Sequence, residues 1–261
     1  MDPQLRVLCA VLSVLFTTVA FVPYVVDLWQ KKGDENFYLK VLDRINPRLS
    51  DWAVRKYSIP RVRTGDDIRP AIAGWFSWGL SDGAIFAAQL VSAWLLHDFG
   101  NVSWQFTLYV GGAMLVITLS MRKGIVLARM TGDRFTVRAA FLDWDHRKDT
   151  PCVTLVVLAV AAWWYMGNPN YNIYLTIAST IVGTWAVARN LYRKPRAESL
   201  VAWALFLVGG LFGVAAVKDW DVWNVTGLWP NILFVFVQGT IVGLAARRFL
   251  PRFKFAKSNR D

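Results

Sequence analysis

Cysteine and histidine are scarce in this chain of 261 residues, with two of each. Cys9 and Cys152 both lie inside apolar runs, which argues against a disulfide framework and against thiolate ligation of a metal. His97 stands beside Asp98 in one connection, while His146 falls in the segment DWDHRKD with Asp143, Asp145 and Asp149. Two imidazoles on opposite sides of an expected membrane make a His-rich metal centre a poor reading. DWDHRKD reads first as a solvated charged loop, and otherwise as an Asp/His cluster. G-x-S-x-G, Walker A and H-E-x-x-H patterns are all missing, so neither an enzyme nor a cofactor is expected. Acidic residues are few as well, 18 against 29 Lys and Arg, for a formal charge of +11. The basic residues occur in blocks between apolar runs and form no nucleic-acid motif, so no nucleic-acid partner is expected.

What the chain has in quantity is apolar surface: 55% of its residues are hydrophobic, 14 are Trp, and the mean hydropathy is +0.35. That balance predicts an all-α integral membrane protein. Seven segments approach or reach spanning length: Val7 to Leu28, Ala71 to Leu96, Trp104 to Met121, Pro151 to Met166, Tyr171 to Ala188, Ser199 to Val217, and Pro230 to Ala246. Of the 29 Lys and Arg, all but Arg6 and Lys218 fall in alternate connections and the tail. The positive-inside rule then puts the amino terminus outside and the carboxyl terminus in the cytoplasm. The start MDPQLRVLCAVLSVLF lacks an A-x-A cleavage pattern and reads as a retained helix. That start and the compact loops suggest a bacterial inner membrane. Trp29, Trp104, Trp220, Trp223 and Trp229 sit where headgroup anchors belong.

The long first loop, Gln30 to Arg69, mixes charge with Phe37, Tyr38, Leu39, Val41 and Trp52, and predicts a short amphipathic helix on the membrane surface. The third loop, from Met121 to Thr150, reads similarly. Either could instead be a lid or a docking surface for a protein. The basic tail RRFLPRFKFAKSNRD is a positive-inside anchor, with anionic lipid as a further partner.

An aspartate interrupts the second span, GWFSWGLSDGAIFAAQL. Asp82 lies about 16 Å along this helix, near the middle of a ~30 Å hydrocarbon layer. A charge there costs at least ~2.5 kcal/mol unless it finds partners or water. Trp75, Trp78, Asp82 and Gln89 share one helix face, so the stripe should meet protein or water rather than lipid. It serves either as a binding face, with Asp82 taking a proton or a cationic group of a solute, or as an interhelical hydrogen bond that fixes packing.

The two halves of the chain show a weak internal repeat. PYVVDLWQKK, a loop, and RPAIAGWFSWGLSDG in the first half parallel GTWAVARNLYRKPRAESLVAWALFLVGG in the second. Setting Pro70 against Pro195 brings Trp78 onto Trp203, and with the fourth segment between two triplets the repeats are parallel. On these half-motifs the chain resembles the PQ-loop superfamily, which includes the SWEET sugar transporters and, more distantly, the nicotinamide riboside transporters. The namesake Pro-Gln stands as Pro23-Tyr24 in the first half and Gly183-Thr184 in the second. The resemblance implies two three-helix bundles, residues 1–121 and 171–249, separated by a loop and linker helix over 122–170 and followed by a tail over 250–261. It also implies alternating access with Pro23 as a hinge.

Other polar residues complete the candidate set. Asp27 is either part of the same inner hinge region as Tyr24 or an interfacial charge. Thr176, Thr180 and Thr184 form a stripe on the fifth span, Asn231 and Gln238 share a face of the seventh, and Asn190 with Arg189 can gate the inner end. Each of these also reads as ordinary helix-packing glue. Gly111-Gly112 and Gly209-Gly210 allow close helix approach. The substrate-binding candidates are therefore Trp75, Trp78, Asp82, Gln89, Thr180, Trp203 and Gln238. Pro23, Tyr24, Asp27 and Asn190 are candidates for a hinge or gate. The expected function is movement of a small polar solute. The rivals are a receptor or assembly subunit acting through the cytoplasmic loops, and a lipid-directed enzyme using Asp143 to Asp149.

Overall fold

The computed structural model describes residues 1–29, 36–57, 72–99, 102–130, 149–166, 169–194, 197–220 and 228–247. Among them are nine helices and no strand. They are α1 (Pro3–Trp29), α2 (Phe37–Ile45), α3 (Pro47–Tyr57), α4 (Ile72–Leu96), α5 (Gln105–Met130), α6 (Asp149–Met166), α7 (Pro169–Arg193), α8 (Leu200–Ala216) and α9 (Leu228–Ala246). Five are long and apolar enough to cross a bilayer: α1, α4, α5 over Gln105–Val126, α6 and α9. The described residues are thus all-helical, with spans that fit an integral membrane protein. α8 is equally apolar but has 17 residues. α7 has the length, but Asn170, Asn172, Arg189, Asn190 and Arg193 lower its hydropathy.

Capping explains several boundaries. The Asp2 carboxylate accepts from the Gln4 amide at 2.8 Å ahead of α1, and Ser199 Oγ accepts from Ala202 at 3.4 Å ahead of α8. The first loop forms two helices rather than one amphipathic helix. Asn46 precedes Pro47, adopts extended backbone because the proline ring disfavours helix at the residue before it, and caps α3 by accepting from Arg48 at 3.0 Å. α2 is anchored to the bundle where the Tyr38 hydroxyl donates to the Pro23 carbonyl at 3.1 Å. α5 runs on to Met130, so the first part of the expected third loop is helical. The rest of that loop, with Asp143, Asp145 and His146, lies outside the described residues, as do Pro70, Pro195, Trp223 and the basic tail.

The long helices close into a ring. α1 packs on α5, α5 on α4, α4 on α7, α7 on α9, α9 on α8, and α8 back on α1. Exchanging α1, α4 and α5 for α7, α8 and α9 in chain order maps every one of these contacts onto another. α6 lies outside the ring against α4 and α7. The two seams between halves are built on glycines. A Cβ on Gly209 would meet Thr17 Oγ1 at 2.9 Å and the Ser13 carbonyl at 3.2 Å, and one on Gly183 would meet Ser77 Cβ at 2.9 Å. Gly112 makes room for the Phe21 ring against α5, whereas Gly111 faces open space.

Candidate functional site

Five helices of the ring, α4, α5, α7, α8 and α9, line the middle of the molecule, and their apolar and aromatic faces leave a small cavity there. Its volume is about 20 Å³, room for roughly one water molecule. Every residue lining it is buried. Trp75 and Trp78 of α4 and Trp203 of α8 form one wall, their ring centroids 5.4–5.6 Å apart. Tyr109 of α5 and Phe234 of α9 stack at 4.7 Å on another. Asp82, Thr180 and Gln238 supply the other polar groups. Asp82 is 2% exposed, and its carboxylate has no hydrogen-bond or ion-pair partner among the described residues. Among the described residues that line the cavity, no other carboxylate and no Lys, Arg or His accompanies it.

Toward the end of the bundle that carries the basic loops, the cavity is shut by an aromatic latch. The Tyr24 hydroxyl of α1 donates to Glu198 Oε2, and Trp203 Nε1 donates to the same oxygen at 3.1 Å. Trp75 Nε1 donates to the Tyr24 hydroxyl at 3.0 Å. Tyr24 and Glu198 are both fully buried. The latch joins α1 and α4 of one half to the start of α8 in the other. On the opposite seam Trp78 Nε1 donates to Thr184 Oγ1 at 3.4 Å, and that hydroxyl donates to the Thr180 carbonyl at 2.7 Å. Tyr24 is thus bonded to Trp75 and, through Glu198, to Trp203, while Thr184 is bonded to Trp78.

Toward the far end, neutral amides and hydroxyls do the closing. Ser13 Oγ of α1 donates to Gln105 Oε1, Gln105 Nε2 to Asn231 Oδ1 at 2.6 Å, and Asn231 Nδ2 to Ser103 Oγ at 2.8 Å. A Cβ on Gly213 of α8 would strike Gln105 Nε2 at 2.7 Å, so glycine there lets α8 close on this layer. Outside it lies an open groove of about 430 Å³ between the start of α1, the loop before α5 and the end of α8, with Ser13 and Gln105 on its floor and Arg6 on its wall.

The structure brings together Trp75, Trp78, Asp82, Thr180, Trp203 and Gln238 from four helices. Gln89 continues the same face of α4, but its Oε1 accepts from the Ser103 amide at 3.0 Å, where it fixes the chain entering α5. Asn231 belongs to the far seal rather than to the cavity. Asp27 is buried near the basic end of α1, close enough to Tyr24 to interact electrostatically. Pro23 lies inside a continuous α1, where its missing N–H leaves one turn unbonded. Asn190 falls in the last turns of α7, where its carbonyl accepts from the Lys194 amide at 2.8 Å, and its neighbour Arg189 pairs with Asp149 of α6 at 3.1 Å. The side chain of Thr176 lies outside the described residues.

Several residues of the site were not among the sequence candidates, Glu198, Tyr109 and Gln105 foremost among them. Glu198 could have been found as the lone acid in a basic link, one residue before an N-cap and an apolar helix. Tyr109 and Gln105, four apart on α5, carry a weaker signal, a polar pair on one face of an apolar span. No protein-family model, curated protein or solved structure matches the chain.

Proposed function

We propose that this protein is a membrane transporter that moves a small polar solute through the central cavity by alternating access. The observation that carries the reading is Asp82. A buried carboxylate with no partner, at the junction of the two halves, costs stability and is retained where something exchangeable binds it. A solute's polar group or a proton serves that role. The ring of helices supports the finer reading that all seven long helices span, with α1, α4 and α5 as one three-helix unit and α7, α8 and α9 as a parallel repeat. α6 is then the linker, the amino terminus is outside, and the basic end faces the cytoplasm of a bacterial cell. Each seal crosses between the halves. Rocking one unit against the other breaks the Tyr24–Glu198 latch or the Ser13–Gln105–Asn231 chain, and exposes the cavity to one side at a time.

The experiment is accessibility to an impermeant thiol reagent. Thr180→Cys, placed in a variant lacking Cys9 and Cys152 and reconstituted into vesicles, should react from either face. Reaction from one face alone, or from neither, would reject alternating access. One observation favours the receptor or assembly alternative: Phe37, Val41, Ile45, Leu49 and Trp52 leave an exposed apolar face on α2 and α3. Stable capture of a protein by that face, with Thr180→Cys unreactive from both sides, is the outcome that would favour it.

A further inference from the structure

The chemistry of the cavity narrows the class of solute. The indole N–H groups on its wall are all engaged, Trp75 with Tyr24, Trp78 with Thr184 and Trp203 with Glu198, and Gln238 Nε2 gives one of its two N–H bonds to the Tyr109 hydroxyl. The atoms left without a hydrogen bond are oxygens that can accept, Asp82 Oδ1, Thr180 Oγ1 and Gln238 Oε1, of which the Thr180 hydroxyl can also donate. Among the described residues no Lys, Arg or His lines the space to balance Asp82. Around these oxygens stand the Trp75, Trp78 and Trp203 rings, with Tyr109, Phe206 and Phe234 completing the enclosure.

Each class of solute leaves a different residue of unmet demand. An anion meets the Asp82 carboxylate and no cationic side chain among the described lining residues. A sugar brings hydroxyls that both give and receive, but no positive charge for Asp82. A quaternary ammonium suits the rings but offers no N–H to the three oxygens. A protonated primary amine satisfies all of it: three N–H donors for three acceptors, one positive charge for Asp82, and a cation attracted to aromatic faces. The ammonium head is also about the size of the single water that the closed cavity admits.

On the reading of this cavity as a solute site, we infer that it selects small primary ammonium compounds, with Asp82 as counter-ion, Thr180 and Gln238 as acceptors, and the Trp75–Trp78–Trp203 wall holding a short apolar or aromatic body. A sodium ion shares the charge and the oxygen donors. Three oxygens leave its usual coordination incomplete, while the rings reward an organic cation.

The test is titration of the full chain in lipid nanodiscs, followed by tryptophan emission and calorimetry, with 2-phenylethylammonium as the probe. The same body carrying a trimethylammonium head, 2-phenylethanol, phenylacetate and sodium chloride form the other arms. The amine should bind saturably and at least tenfold more tightly than any other arm, and Asp82→Asn should remove at least tenfold of its affinity. Equal binding of the alcohol, or of the trimethyl compound, would overturn the assignment while leaving a cavity that admits solutes. Saturable sodium binding with no response to the amine would replace it with an alkali-cation site. The ligand series is read on the unaltered protein, so it decides the matter even if Asp82→Asn misfolds. Because Thr180→Cys accessibility is measured separately, rejection of the amine class and rejection of alternating access are distinct results.

Discussion

The two ends of the cavity are closed by different chemistry. At the basic end a carboxylate collects hydrogen bonds from a tyrosine and a tryptophan, all buried among aromatic rings. At the far end a serine, a glutamine and an asparagine pass neutral hydrogen bonds from helix to helix beside an open groove of about 430 Å³. An orphaned hydrogen-bonding group costs most where water cannot reach it, and the Tyr24–Glu198 pair is fully buried while Ser13 and Gln105 border the groove. The basic-end latch is therefore the stiffer of the two, and on the alternating-access proposal the far end is the one that loosens first.

The sharpest way to break this comparison is to remove Glu198. Glu198→Ala leaves the Tyr24 hydroxyl and Trp203 Nε1 buried without an acceptor, and each orphan costs about 1–3 kcal/mol. Thermal unfolding in detergent should drop by several degrees. Glu198→Gln, which keeps an acceptor oxygen, should recover much of the loss. Equal stability of Glu198→Ala and the parent would mean that the latch does not hold the closed state.

The glycine seams come next in size. Gly209→Ala sets a methyl group against Thr17 and the Ser13 carbonyl of α1, and a backbone atom cannot turn aside. Overpacking of this kind costs about 1–3 kcal/mol. Gly111→Ala is its control, since nothing lies within 4 Å of the added carbon. In an exposed helix position that exchange is neutral or stabilising by up to ~1 kcal/mol. Similar melting points for the two variants would remove the case for a close α1–α8 seam.

Much of this architecture was legible from periodicity. The face shared by Trp75, Trp78 and Asp82 follows from 100° per residue, and the structure turns that face inward. Trp203 could be paired with Trp78 because a repeat aligns them, and their rings lie 5.4 Å apart. Periodicity fails where a side chain's partner comes from a loop or another helix. Gln89 shares the same face, yet an amide of the connection between α4 and α5 captures it. Glu198 sits in a basic link outside the apolar runs, and only the packing of α1 against α8 brings Tyr24 to it. The break between α2 and α3, by contrast, was written in Asn46-Pro47 and was available to a reading of turn chemistry.

The far seal offers a smaller effect. Gln105→Ala cuts the chain between Ser13 and Asn231, but the adjoining groove can supply water to both. The expected loss is about 1 kcal/mol, the net value of an ordinary hydrogen bond. The more informative readout is thiol labelling: Thr180→Cys should react faster from the far side in the Gln105→Ala background and at an unchanged rate from the basic side. Faster reaction from the basic side would reverse the assignment of the weaker end.

The smallest effect belongs to the surface pair that ties the far-end loops, Lys218 Nζ to Asp98 Oδ2 at 2.6 Å. The hydrogen bond to Asp98 raises the Lys218 ammonium above its ordinary value, with the Asp98 charge adding to it. A raised folded-state value means that the pair contributes below the unfolded lysine value of about 10.4, and that the contribution disappears as pH climbs through the folded value. Both side chains are more than a third exposed, so water and salt screen the attraction. Lys218→Gln should therefore melt almost with the parent at neutral pH. What small difference exists should shrink in about 0.5 M salt, where the Debye length is only a few ångströms, and vanish in strongly alkaline buffer. A large loss at neutral pH that salt leaves untouched would show that this bridge, rather than the glutamine chain beneath it, holds the far end closed.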